Sequence, residues 1–340
     1  MDIEQGIIPV ILLGLLVLGG LGIAAWLYWR CLLRHRLTGW RFALGQFIAA
    51  VLWVAVLLSF GGGGVLGYFY FRPQPADIQV RLFEGVSYER VSQREPFPLV
   101  YHVVRISLDA PGLSFFVTPP DLEGEFELRA QTTTQFLRKH QLQLAINGNF
   151  FYPSHANNPW DYYPVSGEPV AVLGEAASSG DQYSSRATHY IPVSISDENT
   201  ILFGEAEGGY NILAGKYIDL TTPVNPPESN GQRLPRTAFA LDRDSNTLIL
   251  LVADGRQPNY SEGLSLEELR ELLIALGADE AINLDGGGSS TLVMQLPDGR
   301  TRVLNSPIHT RIPGRERPVA NHLGIYAPPL PEPDAALGAL

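Results

Sequence analysis

Residues 281–291, Ala-Ile-Asn-Leu-Asp-Gly-Gly-Gly-Ser-Ser-Thr, set a carboxylate (Asp285) at the end of a short apolar run, then Gly286, Gly287 and Gly288, then Ser289, Ser290 and Thr291. Consecutive glycines bury nothing and lose the most backbone entropy on folding, so a folded chain keeps them for geometry: a positive φ, a close backbone approach, or a nest of N–H donors around an anion. A second apolar run, Thr247–Ala253, ends in another carboxylate, Asp254, followed by Gly255. Alone, each aspartate has a bland reading as a turn residue capping its own backbone. Together at strand ends they form the acid/base pair that glycosidic cleavage uses, and Arg236 or Arg317 would pair bidentately with an anionic leaving group.

Rival chemistries fit less well. Neither Ser289 nor Ser290 sits in G-x-S-x-G, and the hydroxyls lead into a strand-like run, not a helix. No lysine follows the glycines, which excludes a P-loop, and no H-E-x-x-H is present. Carboxylate-bound Ca²⁺ or Mg²⁺ is the cofactor class left open, with ligands that sequence does not assign. A single cysteine, Cys31, excludes disulfides and a thiolate zinc site. The net charge of −11 without a basic stripe argues against nucleic acid as a partner.

The elements that must position these residues are legible. Ser265 with Glu268 makes a capping box, Leu266, Leu269, Leu272, Leu273 and Leu276 fall on one helical face, and Gly277 is a natural stop. Strand, helix and strand over 247–284 predict a βαβ unit with parallel strands, so Asp254 and Asp285 emerge at one sheet edge. Leu142–Ile146 predicts a strand after a short helix at Thr132–His140, opening Asn147 onto the same edge. Residues 152–190, rich in Pro, Gly, Ser, Asn and Tyr, read as a binding loop or lid.

Upstream, Gly6–Trp29 and Phe42–Phe60 are apolar runs without a charge except at their edges, and Arg30, Arg34, Arg36 and Arg41 lie around the loop between them. The expectation is a two-helix transmembrane hairpin over 1–72, loop inside, both termini and the remaining domain extracytoplasmic, with the lipid bilayer as a partner. Asp2 and Glu4 argue against a signal peptide. Residues 73–98 read as a linker with one short element, 99–327 as the catalytic domain, and 328–340 as a Pro/Ala-rich tail. The expected fold class is therefore α+β: a mixed β-sheet domain containing a βαβ unit, preceded by the hairpin.

Six segments in order, Asn147-Gly148-Asn149-Phe150-Phe151, Arg236-Thr237-Ala238, Asp254-Gly255-Arg256, Gly263–Leu269, Asn283–Thr291 and Glu316–Asn321, resemble the phosphodiester glycosidase family over roughly 99–327. The resemblance implies hydrolysis of a sugar 1-phosphodiester in a glycan or glycoconjugate. It implies Asp285 as nucleophile or base, Asp254 or Glu316 as second carboxylate, and Arg236 and Arg317 on the phosphate with Gly286–Gly288, Ser289 and Ser290. Asn147, Asn149 and Asn283 then face the sugar, Asn149 standing where relatives commonly carry a smaller residue. The alternative from another class is a non-catalytic glycan-binding or envelope polysaccharide assembly protein, in which the three carboxylates would have no common task.

Overall fold

The computed structural model describes residues 19–20, 22–30, 39–121, 126–185, 189–205, 209–221 and 231–340. Two compact units follow one another, Met1–Arg72 and Pro73–Leu340. The first contains α1, a 32-residue helix at Trp40–Phe71. The two-span transmembrane hairpin is not upheld: among the described residues no helix is long and apolar enough to cross a membrane. In α1, Gly45-Gln46 and Gly61–Gly64 interrupt the uncharged run, and the longest piece between these breaks is Phe47–Phe60. At ~1.5 Å per residue that part covers ~21 Å of a ~30 Å hydrocarbon core. Residues 1–18, most of the first expected span, and Cys31, Arg34, His35 and Arg36 of the expected loop lie outside the described residues. The lipid bilayer as partner, and the membrane localisation that followed from it, lose their support.

The second unit is a mixed, sheet-rich α+β domain. Its strands include β1 (Ile78–Phe83), β2 (Val86–Gln93), β3 (Leu99–Ser107), β4 (Ser114–Val117), β5 (Leu144–Asn147), β6 (Glu175–Ser178) and β7 (Asp181–Ser185). They continue with β8 (Ile191–Ile195), β9 (Ile201–Phe203), β10 (Asn211–Ile218), β11 (Arg236–Asp242), β12 (Thr247–Ala253) and β13 (Glu280–Asn283), then β14 (Leu292–Gln295), β15 (Thr301–Val303) and β16 (His322–Tyr326). The helices are α2 (Thr133–His140) and α3 (Leu266–Ala275). Among the described residues an 11-stranded sheet runs β1-β2-β3-β12-β11-β13-β10-β6-β7, with β8 and β9 branching from β10. A five-stranded sheet runs β15-β14-β5-β16-β4.

Side-chain alternation stacks these into four layers. On β12, Leu248, Leu250 and Val252 enter the core between the sheets, where they join Ile146, Leu292 and Leu323. Ile249, Leu251 and Ala253 point the other way, to Leu269 and Leu273 of α3. A strand covered on both faces reads as an unbroken apolar run. On the helix-facing side β11 and β13 offer only Ala238, Ala240 and Ala281, which leaves room for the leucines of α3. Phe136 and Leu137 of α2 cover the outer face of the smaller sheet at Ala145 and Val293. Both helices start at capping boxes, Thr132 with Gln135 and Ser265 with Glu268, and α3 stops at Gly277, φ 90°.

The βαβ unit is a split one. β11 lies between β12 and β13 and pairs antiparallel with both, Arg236 opposite Ala253 and Ala238 opposite Asn283. β12 and β13 therefore run parallel without touching, and Arg236 enters the sheet at the edge where Asp254 and Asp285 leave it. β5 belongs to the other sheet. Residues 78–93, within the stretch read as a linker, form an edge hairpin of the main sheet. The C-terminal segment packs back on it: Asp334 accepts from the Arg81 amide at 3.0 Å, and Leu340 is buried in the inter-sheet core.

Candidate active site

At that edge lies a pocket of about 350 Å³ lined by Asp285, Gly286, Gly287, Gly288, Asn283, Arg236, Arg256, Arg317, Lys216, Phe150, Leu234 and Leu266. Asp285 is the one carboxylate among the described residues that line it. The glycines explain themselves there. A Cβ on Gly288 would lie 2.8 Å from Nη2 of Arg317, and one on Gly287 (φ 63°) 3.1 Å from Nη1 of Arg256. A Cβ on Gly286 would lie 2.8 Å from the Pro235 carbonyl oxygen. Two neighbouring glycines thus seat two guanidinium groups, and the third lets the turn close on the start of β11. The Gly287 N–H donates to that Pro235 oxygen at 2.9 Å, and the backbone of Gly286 hydrogen-bonds Asp285. The expected nest of amides around an anion is in these two positions already engaged, and the cationic surface comes from arginine.

Ser289 is fully buried; it hydrogen-bonds Asp285 and accepts from Nη1 of Arg317 at 3.2 Å. Arg317 also donates from Nε to Nδ1 of His309 at 3.2 Å. Burial first, then Arg317 and Arg315, hold His309 down to about 4, so it is a neutral acceptor near pH 7. Burial raises the Asp285 carboxyl above the ordinary carboxylate range; the Ser289 hydrogen bond, Arg317, the Gly286 backbone and Arg256 oppose that shift. Burial lowers Arg236, Arg256 and Arg317, and the arginines depress one another: Arg256 acts on Arg236, and Arg317 and Arg311 act on Arg256.

The opposite wall is one that sequence reasoning did not single out. Lys216 on β10 stands across from Asn283 in the ladder, and Gly215 lets the strands approach, since a Cβ there would meet the Asn283 carbonyl oxygen at 2.7 Å. The Lys216 ammonium lies 5.9 Å from the Phe150 ring centre, and Phe150 stacks on Tyr190 at 5.0 Å. Burial and Asp285 raise the Tyr190 hydroxyl, which sets it within electrostatic reach of the carboxylate. Arg256, in the Asp254-Gly255-Arg256 motif, takes a left-handed φ of 56°, and the one local signal in the sequence is the glycine beside it.

Other expected site residues hold the pocket from behind. Asn147 donates from Nδ2 to the Asp285 carbonyl oxygen at 2.6 Å and accepts from the Thr237 hydroxyl and the Thr291 amide. Asn149 is buried; its side chain bonds Leu173, Glu175, Ala214 and Asn321, and so pins four segments together. Asn283 donates to the Leu284 carbonyl at 2.9 Å, while its buried Oδ1 has no protein partner among the described residues. Ser290 is buried beside the loop, its carbonyl held by Asn305.

Asp254 and Glu316 do not line the pocket. The Asp254 carboxylate accepts from the Ser306 amide at 2.7 Å and Asn305 Nδ2 at 3.1 Å, and lies 3.3 Å from His102 Nε2, whose Nδ1 meets Tyr88 Oη at 2.8 Å. Glu316 accepts from the Thr134 amide and hydroxyl at 3.0 and 2.6 Å, at the N-terminus of α2. Among the described residues no cluster of three or more His, Cys, Asp or Glu side chains is placed to hold a metal ion.

The family model described as phosphodiester glycosidase matches residues 140–326, which span more than half of the 340-residue chain and contain every pocket-lining residue. The chain belongs to the phosphodiester glycosidase family. No curated protein matches the chain. Among solved structures, a hypothetical protein from Synechocystis superposes with a TM-score of 0.52 at 16% identity, over 74% of this chain and 64% of that one. The chain thus spans somewhat less than two thirds of that protein. The catalytic domain of zebrafish N-acetylglucosamine-1-phosphodiester alpha-N-acetylglucosaminidase, auto-inhibited by its pro-peptide, superposes with a TM-score of 0.51 at 17% identity, over 76% of this chain and 92% of that one. At these identities the two structures establish a shared fold.

Proposed function

We propose that the chain hydrolyses the bond between an anomeric carbon and the phosphate of a sugar 1-phosphodiester. The observation that carries this is one part-buried carboxylate, Asp285, sharing a pocket with three guanidinium groups and an ammonium. Asp285 takes a proton from water as the water oxygen bonds to the anomeric carbon. The carbon–oxygen bond to phosphate breaks, and its electron pair stays on the departing phosphate monoester. A phosphate leaves without strong protonation, so the stabilisation it needs is electrostatic, and Arg317, held between Ser289 and His309, is placed to supply it. A carboxyl raised by burial is a stronger base than an exposed one, which suits proton abstraction near neutral pH. Asn283 Oδ1, buried and unpartnered among the described residues, is an acceptor for a sugar hydroxyl. The glycine-seated arginines favour a phosphate-bearing ligand over a neutral glycan.

The test is turnover of a sugar 1-phosphodiester by the full chain in ¹⁸O-water. Label in the released sugar, with turnover abolished in Asp285→Asn, is the expected result. Label in the phosphate would mean attack at phosphorus and would sink the proposal. Tight binding of the intact substrate without cleavage would favour a glycan-binding protein.

A further inference from the structure

Among the described residues outside the pocket, the arginines that pair with carboxylates are Arg233 with Glu262 and Glu268, Arg243 with Glu280, Arg129 with Asp121 and Arg300 with Asp298. The pocket gathers cations. Arg236, Arg256, Arg317 and Lys216 face one carboxylate, Asp285, and among the described residues none of the four makes an ion pair within 4.0 Å. A phosphodiester carries a single negative charge at neutral pH. With Asp285 ionised and one phosphodiester bound, two of the four cations still lack a counter-charge. Arg236 is only 8% exposed, and an uncompensated buried cation is costly unless a ligand completes it.

The four cations also divide by what they touch. Arg317 is tied to the reacting carboxylate through Ser289, which places it on the scissile phosphate. The Arg256 guanidinium lies over Gly287 and, unlike the Arg256 amide, which donates to the Glu262 carbonyl, makes no hydrogen bond among the described residues. Arg236 commits Nε to the Leu264 carbonyl at 2.9 Å and otherwise faces the pocket. Arg256 and Arg236 line the same pocket, close enough for Arg256 to depress Arg236 electrostatically.

We propose that the substrate carries a second anionic group next to the scissile phosphodiester, seated between Arg236 and Arg256. The proposal rests on the hydrolase reading above and extends it to a substrate class: sugar 1-phosphodiesters of at least two negative charges. The second charge belongs either to a further phosphate in the ester, as in a sugar diphosphate diester, or to a carboxylate on the sugar.

Three substrates with a methyl aglycone separate the cases: a neutral-sugar 1-phosphodiester, the 1-diphosphate diester of the same sugar, and a uronic acid 1-phosphodiester. One doubly charged substrate should exceed the singly charged one in kcat/KM by about 30-fold, the worth of one added charge-assisted contact, and the one that does so identifies the source. Arg256→Gln should shrink that ratio, and so should high salt. In parallel, calorimetry on the non-cleaving Asp285→Asn chain should find methyl diphosphate bound more tightly than dimethyl phosphate by a similar factor. Equal or faster cleavage of the singly charged substrate overturns the inference and leaves the hydrolase reading intact. No cleavage of any substrate, with the binding preference kept, overturns the hydrolase reading and leaves the charge inference standing. Neither cleavage nor preference overturns both.

Discussion

Gly288→Ala separates catalysis from folding. Gly288 does not have the positive φ that strains an alanine, and its missing Cβ is occupied by the guanidinium of Arg317, with Nη2 at 2.8 Å, Cζ at 3.0 Å and Nε at 3.2 Å. Ordinary carbon–nitrogen contact begins at 3.4 Å, so the group must retreat by about 0.6 Å at its tip. Its hydrogen bonds to Ser289 and His309 are already 3.2 Å long, and a retreat of that size stretches them past the range in which hydrogen bonds hold. Losing the contacts that aim a charged group costs about 2–4 kcal/mol of transition-state stabilisation, a fall of about 30- to 1000-fold in kcat/KM. Stability should move by less than about 1 kcal/mol, because what shifts is the end of a flexible side chain. The assay is steady-state hydrolysis of a sugar 1-phosphodiester beside a urea melt. Combining Gly288→Ala with Arg317→Ala should add nothing to the loss from Arg317→Ala alone. Wild-type kcat/KM in a folded Gly288→Ala chain would refute the account of why the glycine is there.

Gly263→Ala should act on stability instead: its φ is 97° and its Cβ would fall 2.3 Å from the Leu234 carbonyl oxygen, so a loss of about 3 kcal/mol or more is expected in urea denaturation. Asp254→Ala should cost about 3 kcal/mol, because buried donors of Asn305 and Ser306 lose their acceptor. Activity per folded molecule should fall with it, since Asn305 also holds the Ser290 carbonyl and the Leu292 amide. Acid should destabilise the chain through His309 and His322, buried histidines lowered to about 4 and about 3. The unfolded chain binds their protons first, so their contribution is complete above about pH 6.5 and declines as pH falls toward 4, by about 1.4 kcal/mol per histidine per pH unit. Urea midpoints measured from pH 7 to 4.5 should follow that slope, and a flat profile would count against it.

What was legible in the chain was what short range decides. The capping box at Ser265, the leucine face of α3 and the stop at Gly277 are local, and so is the direction in which Asp254 and Asp285 leave their strands. What was not legible came from pairing across long separations. Nothing in Arg236–Asp242 says that it inserts between β12 and β13, or that Lys216 will stand opposite Asn283. The hairpin β1–β2 has polar residues on its open side and reads as a linker until its partner β3 is known. Apolar composition misled over residues 1–72, where length and hydrophobicity were read as spans. Asp254 shows a subtler limit: a carboxylate at a strand end looks the same in sequence whether it faces a ligand or, as here, a His102–Asn305–Ser306 network inside the fold.

The asparagines behind the pocket bear on when the site comes into being as the chain folds. Asn147 grips the Asp285 carbonyl across 138 residues of sequence, and Asn149 grips Asn321 across 172. The smaller sheet pairs strands just as distant, Leu323 with both Val117 and Ile146, so the clasp and that sheet depend on the same late-arriving strand. Such non-local pairing folds slowly. In refolding, recovery of ligand binding should keep pace with recovery of sheet structure. During synthesis, the Asn149 clasp stays open until Asn321 has left the ribosome.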